Sequence, residues 1–140
     1  MTRAGRGGES AGKARVSSGA SPLVDMVLGA ADGLSARDLV ALDLRGLNDA
    51  TDWFVIGSGT SDAHVRGIAN AVIRRIEDAG VQPHHVEGLP SGRWVLVDYL
   101  DVVVHLFHPE ARAFYQLERL WSDAPYVVGG PIGQEKGLTG

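Results

Sequence analysis

The chain has 140 residues, no cysteine and a formal net charge of −4 at pH 7, with 44% hydrophobic and 21% charged residues. This length suits one domain with a single core, and the composition is typical of a globular protein. The missing cysteines exclude disulfide bridges, thiolate metal sites and cysteine nucleophiles, and they favour a reducing, cytoplasmic setting. No apolar stretch approaches about 18 residues, so we expect neither a membrane span nor a secretory signal peptide.

The charge is distributed unevenly along the chain. The first 20 residues carry four basic groups and one acidic group, a net of +3, and the remaining 120 carry nine basic and 16 acidic groups, a net of −7. An acidic body has few cations to replace the counterions of a nucleic acid, so we expect no broad contact with RNA and no DNA partner. A basic protein partner fits this charge better.

Composition also divides the chain into three segments. Residues 1–21 are rich in Gly, Ser, Ala and Arg, and they cannot bury enough apolar surface to offset their ordering entropy. They are predicted to be a disordered basic tail. Residues 22–124 are the predicted domain. Residues 125–140 are predicted to be an extended, mostly mobile tail, because several Gly and Pro residues interrupt them.

The first half of the domain predicts a helix, two strands and a long helix. Ser21 and Pro22 are a typical cap and first residue of a helix, whose buried face would hold Leu23, Met26, Val27 and Ala30. Residues 38–44 alternate as in a strand, and the apolar residues 52–57 predict a strand buried on both faces. A long amphipathic helix follows and ends at Gly80, with apolar residues at helical spacing: Val65, Ile68, Ala69, Val72, Ile73 and Ile76.

The second half predicts a hairpin and a last helix. A weak strand is expected within residues 82–87, and the β-rich runs 93–99 and 101–107 form a predicted hairpin. Pro109 suits the first position of the last helix. Together the segments predict a single α/β domain with a mixed sheet of about five strands flanked by helices.

The stretch Gly57-Ser58-Gly59 follows a predicted strand and precedes the long helix, as phosphate-binding loops do. A Walker loop needs a Lys after its second glycine, and the predicted domain contains no Lys. A dinucleotide loop needs a third glycine where this chain has Asp62, whose carboxylate itself suits the positive end of the helix dipole. With Ser61 or Thr60 available as a cap, we expect a turn rather than an anion site.

The candidate catalytic and metal-binding groups form no consistent pattern. A nucleotidyltransferase needs two carboxylates on one strand face to hold Mg²⁺, whereas Asp98 and Asp101 flank the hairpin turn. In a strand, His105 and His108 point to opposite faces. Ser58, His105 and Asp98 can be drawn as a triad, but nothing in the sequence fixes a nucleophile. We therefore expect no catalytic residue, no metal and no cofactor.

Five segments occur in order within residues 22–124: ALDLRG, TDWFVIGSGTSDAHV, VEG, RWVLVDYLDVVVHLF and RAFYQLERLW. Together they resemble the ribosomal silencing factor family, the Iojap-like proteins. The resemblance implies a fold similar to nucleotidyltransferases but without catalytic groups. It also implies binding to protein L-fourteen of the large (50S) subunit, which blocks subunit joining and represses translation when nutrients run short. The chain departs from the family pattern at Ala63, where Arg is common, and at Leu100, where Gly is common.

Aromatic and acidic residues lie close together in the second half of the sequence. Tryptophan and tyrosine dominate interface hot spots, and carboxylates suit the Lys and Arg of a basic ribosomal protein. We expect the partner-binding residues to be Trp94, Asp98, Tyr99, Asp101, Tyr115 and Glu118. A nucleotidyltransferase-type enzyme and a dimeric scaffold with a non-ribosomal partner remain open as alternatives. A homodimer off the ribosome is also open, and no membrane partner is expected.

Overall fold

The computed structural model describes residues 21–47, 49–115 and 126–129, and for residues 113–115 and 126–129 it describes the backbone. The described elements, in chain order, are α1 (Pro22–Gly33), β1 (Arg37–Asp43), β2 (Trp53–Ser58), α2 (Asp62–Asp78), β3 (His85–Glu87), β4 (Trp94–Asp98), β5 (Val102–Phe107), α3 (Pro109–Tyr115) and β6 (Tyr126–Gly129). These elements confirm the predicted α/β class. In the described part of the chain, no helix is long and apolar enough to span a membrane.

The strands form one mixed sheet in the order β3-β4-β5-β2-β1-β6. The central pair, β2 and β5, is parallel, and every other neighbouring pair is antiparallel. Parallel neighbours need a long crossover, which here contains α2, β3 and β4. Both central strands are buried along most of their length, as their continuous apolar sequences predict.

Helices α1 and α2 cover one face of the sheet. In α2 the predicted apolar stripe is confirmed, since Val65, Ile68, Ala69, Val72 and Ile76 are all buried. Each buried Val or Ile side chain contributes about 1.5–3 kcal/mol relative to an exposed one. The helix ends at Asp78, and Gly80 follows with a φ of +91°, which fits its predicted role as the stop residue.

The buried face of α1 is rotated by one position from the prediction. Ser21 caps the helix as expected, since its Oγ accepts a hydrogen bond from the Val24 amide at 3.2 Å. The fully buried residues are Val24, Val27 and Ala31, while Leu23, Met26 and Ala30 are partly buried at the margin. A short helix with apolar residues at consecutive positions has several near-equivalent faces, so its rotation depends on the packing partner.

The sheet extends into the segment predicted to be a tail. Backbone hydrogen bonds pair β6 with β1, and Leu42 is opposite Tyr126 at one end of this pairing. The sheet therefore has six described strands, one more than expected, and residues 126–129 belong to it. The sequence Tyr126-Val127-Val128 has high strand propensity, but it is too short for a pattern-based assignment between Pro125 and Gly129.

Candidate partner-binding surface

The two faces of β4 have different surroundings. Val95, Val97 and Tyr99 point into the main core beneath α1 and α2. Trp94, Leu96 and Asp98 alternate with them and are all partly buried on the opposite face. The exposed Asp101 follows in the hairpin turn. We refer to Trp94, Leu96, Asp98 and Asp101 as the β4 surface.

Trp94 is held by aromatic neighbours on β5. Its ring centroid lies 5.0 Å from that of Phe107 and 6.0 Å from that of His105. Its indole Nε1–H donates a hydrogen bond to His105 Nδ1 at 3.2 Å. Phe107 also belongs to a small cluster with residues of β1, β2 and α3, so Trp94 borders this second core. An aromatic side chain that is fixed but partly exposed is suited to be an interface anchor.

The acidic residues of this surface lie around the hairpin turn. Asp98 Oδ1 accepts a hydrogen bond from the Leu100 amide at 2.7 Å, which stabilises the turn. The Asp101 carbonyl accepts hydrogen bonds from the Asp52 and Trp53 amides, both at 3.0 Å, so the turn is fixed to the start of β2. The Asp101 carboxylate itself is on an exposed residue, where a basic partner can reach it.

The structure does not place Tyr99 on this surface. Its side chain is only 7% exposed and packs in the core on the opposite face, because it is one position out of phase with Trp94 and Asp98. Burial, together with a smaller effect of the Glu77 charge, raises the pKa of its hydroxyl to about 12. The expectation that Tyr99 contacts a partner is therefore not supported by its position.

The side chains of two further predicted contact residues are outside the part of the chain that the structure describes. The backbone of Tyr115 ends the described part of α3, and its side chain is outside the described residues. Glu118 also lies outside them. Of the six predicted residues, Trp94 and Asp98 thus share one face of β4, one at each end of the strand, and Asp101 follows in the turn.

The glycine-rich loop is a turn whose helix start is satisfied by its own residues. Ser61 Oγ accepts a hydrogen bond from the His64 amide at 3.0 Å, as expected of a cap. The Thr60 amide donates to His64 Nδ1 at 2.8 Å, and His64 Nε2 lies 2.7 Å from the Leu34 carbonyl oxygen at the end of α1. A Cβ added to Gly59 would lie 2.8 Å from the Val65 amide nitrogen, so this glycine permits close packing against α2.

The side chains of Ser58, His105 and Asp98 do not form a catalytic triad in the structure. Ser58 Oγ accepts a hydrogen bond from Arg112 Nη1 at 3.1 Å, His105 Nδ1 is bonded to Trp94, and Asp98 holds the hairpin turn. No hydrogen bond joins any two of these three side chains. Among the residues with described side chains, no group of three His, Cys, Asp or Glu could hold a metal ion.

Sequence reasoning overlooked Leu96 and gave His105 no role. Leu96 could have been found, since alternation along a strand puts it between Trp94 and Asp98 on one face. The pairing of His105 with Trp94 could not, because it requires the register in which Leu96 of β4 is opposite His105 of β5. No local pattern encodes a contact between side chains 11 residues apart.

The comparisons with known proteins agree with the fold and with the sequence segments. The family model described as "Ribosomal silencing factor during starvation" matches residues 17–137. The chain belongs to the ribosomal silencing factor family. The ribosomal silencing factor of Bacillus subtilis is 42% identical to it over 103 residues, which are 74% of this chain and 87% of the relative.

The chain is also similar to a solved bacterial structure and to a protein named for a role in mitochondria. A crystal structure of a Chromobacterium violaceum protein matches with a TM-score of 0.70 and 34% identity, covering 71% of this chain and 83% of that one. A mouse protein named for mitochondrial assembly of the large ribosomal subunit is 32% identical over 102 residues, or 71% of this chain and 45% of the mouse protein. The sheet and helices described above are therefore the family fold.

Proposed function

We propose that this protein is a cytoplasmic ribosomal silencing factor that binds the large subunit through ribosomal protein L-fourteen. Bound there, it would block joining of the two subunits and so repress translation during nutrient limitation. Family membership supports the ribosomal role, and the mouse relative is itself named for large-subunit assembly. The observation that carries the proposal to a particular surface is that Trp94, Leu96 and Asp98 lie along one face of β4, with Asp101 exposed in the following turn.

Charge and residue types make this surface a suitable contact for a basic protein. The chain after residue 20 has a net charge of −7, so its field attracts cationic partners. Asp98 and Asp101 offer carboxylates at the rim, where Lys and Arg can pair with them. Trp94 and Leu96 supply apolar area beside these charges, and interfaces commonly combine an apolar centre with a polar rim.

The mechanism needs no chemical step. A protein docked on the large subunit occupies volume, and occlusion of the joining face follows from that volume alone. The arrangement of Ser58, His105 and Asp98 supports this view, since each side chain has a partner other than the remaining two. The rival enzyme reading predicts that Mg²⁺ with ATP or GTP raises the melting temperature by several degrees, because a ligand of the native state stabilises it.

Cosedimentation with purified 50S subunits tests the proposal. We expect Trp94→Ala to weaken binding by about 2 kcal/mol or more, the loss typical of an interface anchor. We expect Asp101→Lys to slow association, with an effect that shrinks as added salt screens the repulsion. Asp32→Lys is the matched control, because it makes the same charge change on an exposed residue of α1 and should bind as the wild type does.

Near-UV circular dichroism must show both variants folded, since Trp94 also packs against Phe107. If folded variants still block subunit joining at the wild-type concentration, the β4 surface is not the interface. The exposed side of α2 around Arg66, Asn70 and Arg74 would then be the next surface to test. If the wild type itself fails to sediment with 50S subunits, a dimeric scaffold with another partner becomes the better description.

A further inference from the structure

His105 is a buried histidine at the centre of the sheet. It is 5% exposed and lies in β5, between Leu96 of β4 and Ile56 of β2 in the strand register. Its ring meets Phe54 edge to face, with centroids 4.6 Å apart. An apolar residue would satisfy this environment without a polar atom, so the imidazole needs a specific explanation.

The hydrogen bond from Trp94 fixes the tautomer of His105. An indole N–H can only donate, so His105 Nδ1 must accept and the ring proton must be on Nε2. Burial lowers the pKa of His105 to about 4, against a smaller opposing effect of the Asp98 charge. The ring is therefore neutral near pH 7, and Nδ1 keeps the lone pair that receives the indole proton.

The other ring nitrogen shows that this arrangement has a cost. His105 Nε2 is buried and has no hydrogen-bond partner within the described part of the chain. A buried donor without an acceptor is unfavourable, and a ring flip would only exchange one unsatisfied nitrogen for another and lose the bond to Trp94. The hydrogen bond of the imidazole is thus the one that Nδ1 accepts from Trp94, so Trp94 is the residue that the imidazole can position.

We propose that His105 is a positioning residue that holds the Trp94 indole in the orientation used to contact the large subunit. The inference rests on the proposed function, because it assigns a role to the anchor of the β4 surface. Trp94 is partly buried, so its ring can gain or lose contact area by rotating about its side-chain bonds. Accepting the indole proton at 3.2 Å restricts that rotation before the partner arrives. Pre-ordering of an anchor lowers the entropy lost on binding.

The matched variants are His105→Phe and His105→Asn. Phenylalanine fills the site but has no acceptor, whereas the Asn side-chain oxygen can occupy the place of Nδ1. In the free protein, ¹⁵N spectra of the wild type should show the Nε2–H tautomer. His105→Phe should shift the Trp94 indole N–H signal, assigned with Trp94→Phe, and speed its hydrogen exchange, and His105→Asn should restore both toward the wild type.

The same variants are then measured against 50S subunits. We expect His105→Phe to weaken binding up to about tenfold, the upper range for the cost of ordering one side chain on binding, and His105→Asn to recover most of the loss. Because His105 acts through Trp94, adding His105→Phe to Trp94→Phe should cause no further loss. Full additivity of the two losses, or wild-type binding by a folded His105→Phe protein, overturns the inference. If wild-type protein does not bind 50S, the proposed function fails, while the indole measurements still decide whether His105 holds Trp94.

Discussion

Leu100 has a backbone conformation that favours glycine. Its φ is +74° in the turn between β4 and β5, and its side chain is 56% exposed. An L-residue in this left-handed region is strained by roughly 1–2 kcal/mol, because its Cβ approaches the following carbonyl oxygen. The family resemblance showed that glycine is common where this chain has Leu100. The sequence alone could not show that Leu100 adopts the positive φ that glycine favours.

We expect Leu100→Gly to raise the free energy of unfolding by about 0.5–1 kcal/mol, since relief of the strain exceeds the entropy that glycine adds to the unfolded chain. Urea denaturation measures the change. Leu100→Ala is the control, because it shortens the side chain but keeps the Cβ. If the two variants are equally stable, backbone strain at Leu100 does not lower the free energy of unfolding.

His105 also makes stability depend on pH. Its pKa falls from 6.5 to about 4 on folding, chiefly through burial. Between these pH values the unfolded chain binds a proton at His105 that the native state does not. The contribution of a neutral His105 to the free energy of unfolding is therefore fully present above pH 6.5 and is lost as the pH falls towards about 4.

From pH 7.5 to pH 5, the wild type should therefore lose about 2 kcal/mol more unfolding free energy than His105→Phe. Denaturation at the two pH values gives the comparison, and the other titrating groups cancel between the proteins. Equal losses would mean that His105 titrates normally in the folded state.

At the scale of the elements, glycine has different functions in α1 and in the loop before α2. A Cβ added to Gly29, which is exposed within α1, would meet no atom within 4 Å. At Gly59 the added Cβ would lie 2.8 Å from the Val65 amide nitrogen, where backbone atoms must move. The first glycine weakens a helix, and the second allows the loop to approach one.

We expect Gly29→Ala to stabilise the protein by about 0.5–1 kcal/mol through helix propensity. Gly59→Ala should destabilise it by about 1–3 kcal/mol through overpacking against α2. Thermal melts of the two single variants test both signs at once. A neutral Gly59→Ala would show that the loop can relax and that its tight packing is not required.

The elements also show what local pattern can and cannot predict. The stripe of α2 was predictable because five buried apolar residues recur at helical spacing and Gly80 ends the helix. The rotation of α1 and the strand β6 were not, because each depends on a partner distant in sequence. Of the expected contact residues, Trp94 and Asp98 share a face by alternation, and the same alternation could have excluded Tyr99.

At the scale of the whole molecule, the basic segment before α1 has a charge opposite to that of the domain. Deleting residues 1–20 should leave the melting temperature and 50S binding nearly unchanged, because that segment has few large apolar side chains to add to a core. Cosedimentation of the truncated and full-length chains at two salt concentrations is the measurement. A clear loss of binding at low salt would show that the tail contacts ribosomal RNA.

The pairing of β1 with β6 joins parts of the chain that are synthesised far apart in time. Leu39 is opposite Gly129, so a nascent or truncated chain that ends before Tyr126 has the outer side of β1 without its native neighbour. An unpaired strand edge presents free amide and carbonyl groups and is a template for strands of other molecules. Strand β6 therefore covers the outer side of the seven-residue β1 and becomes the edge itself, with only four residues available for pairing.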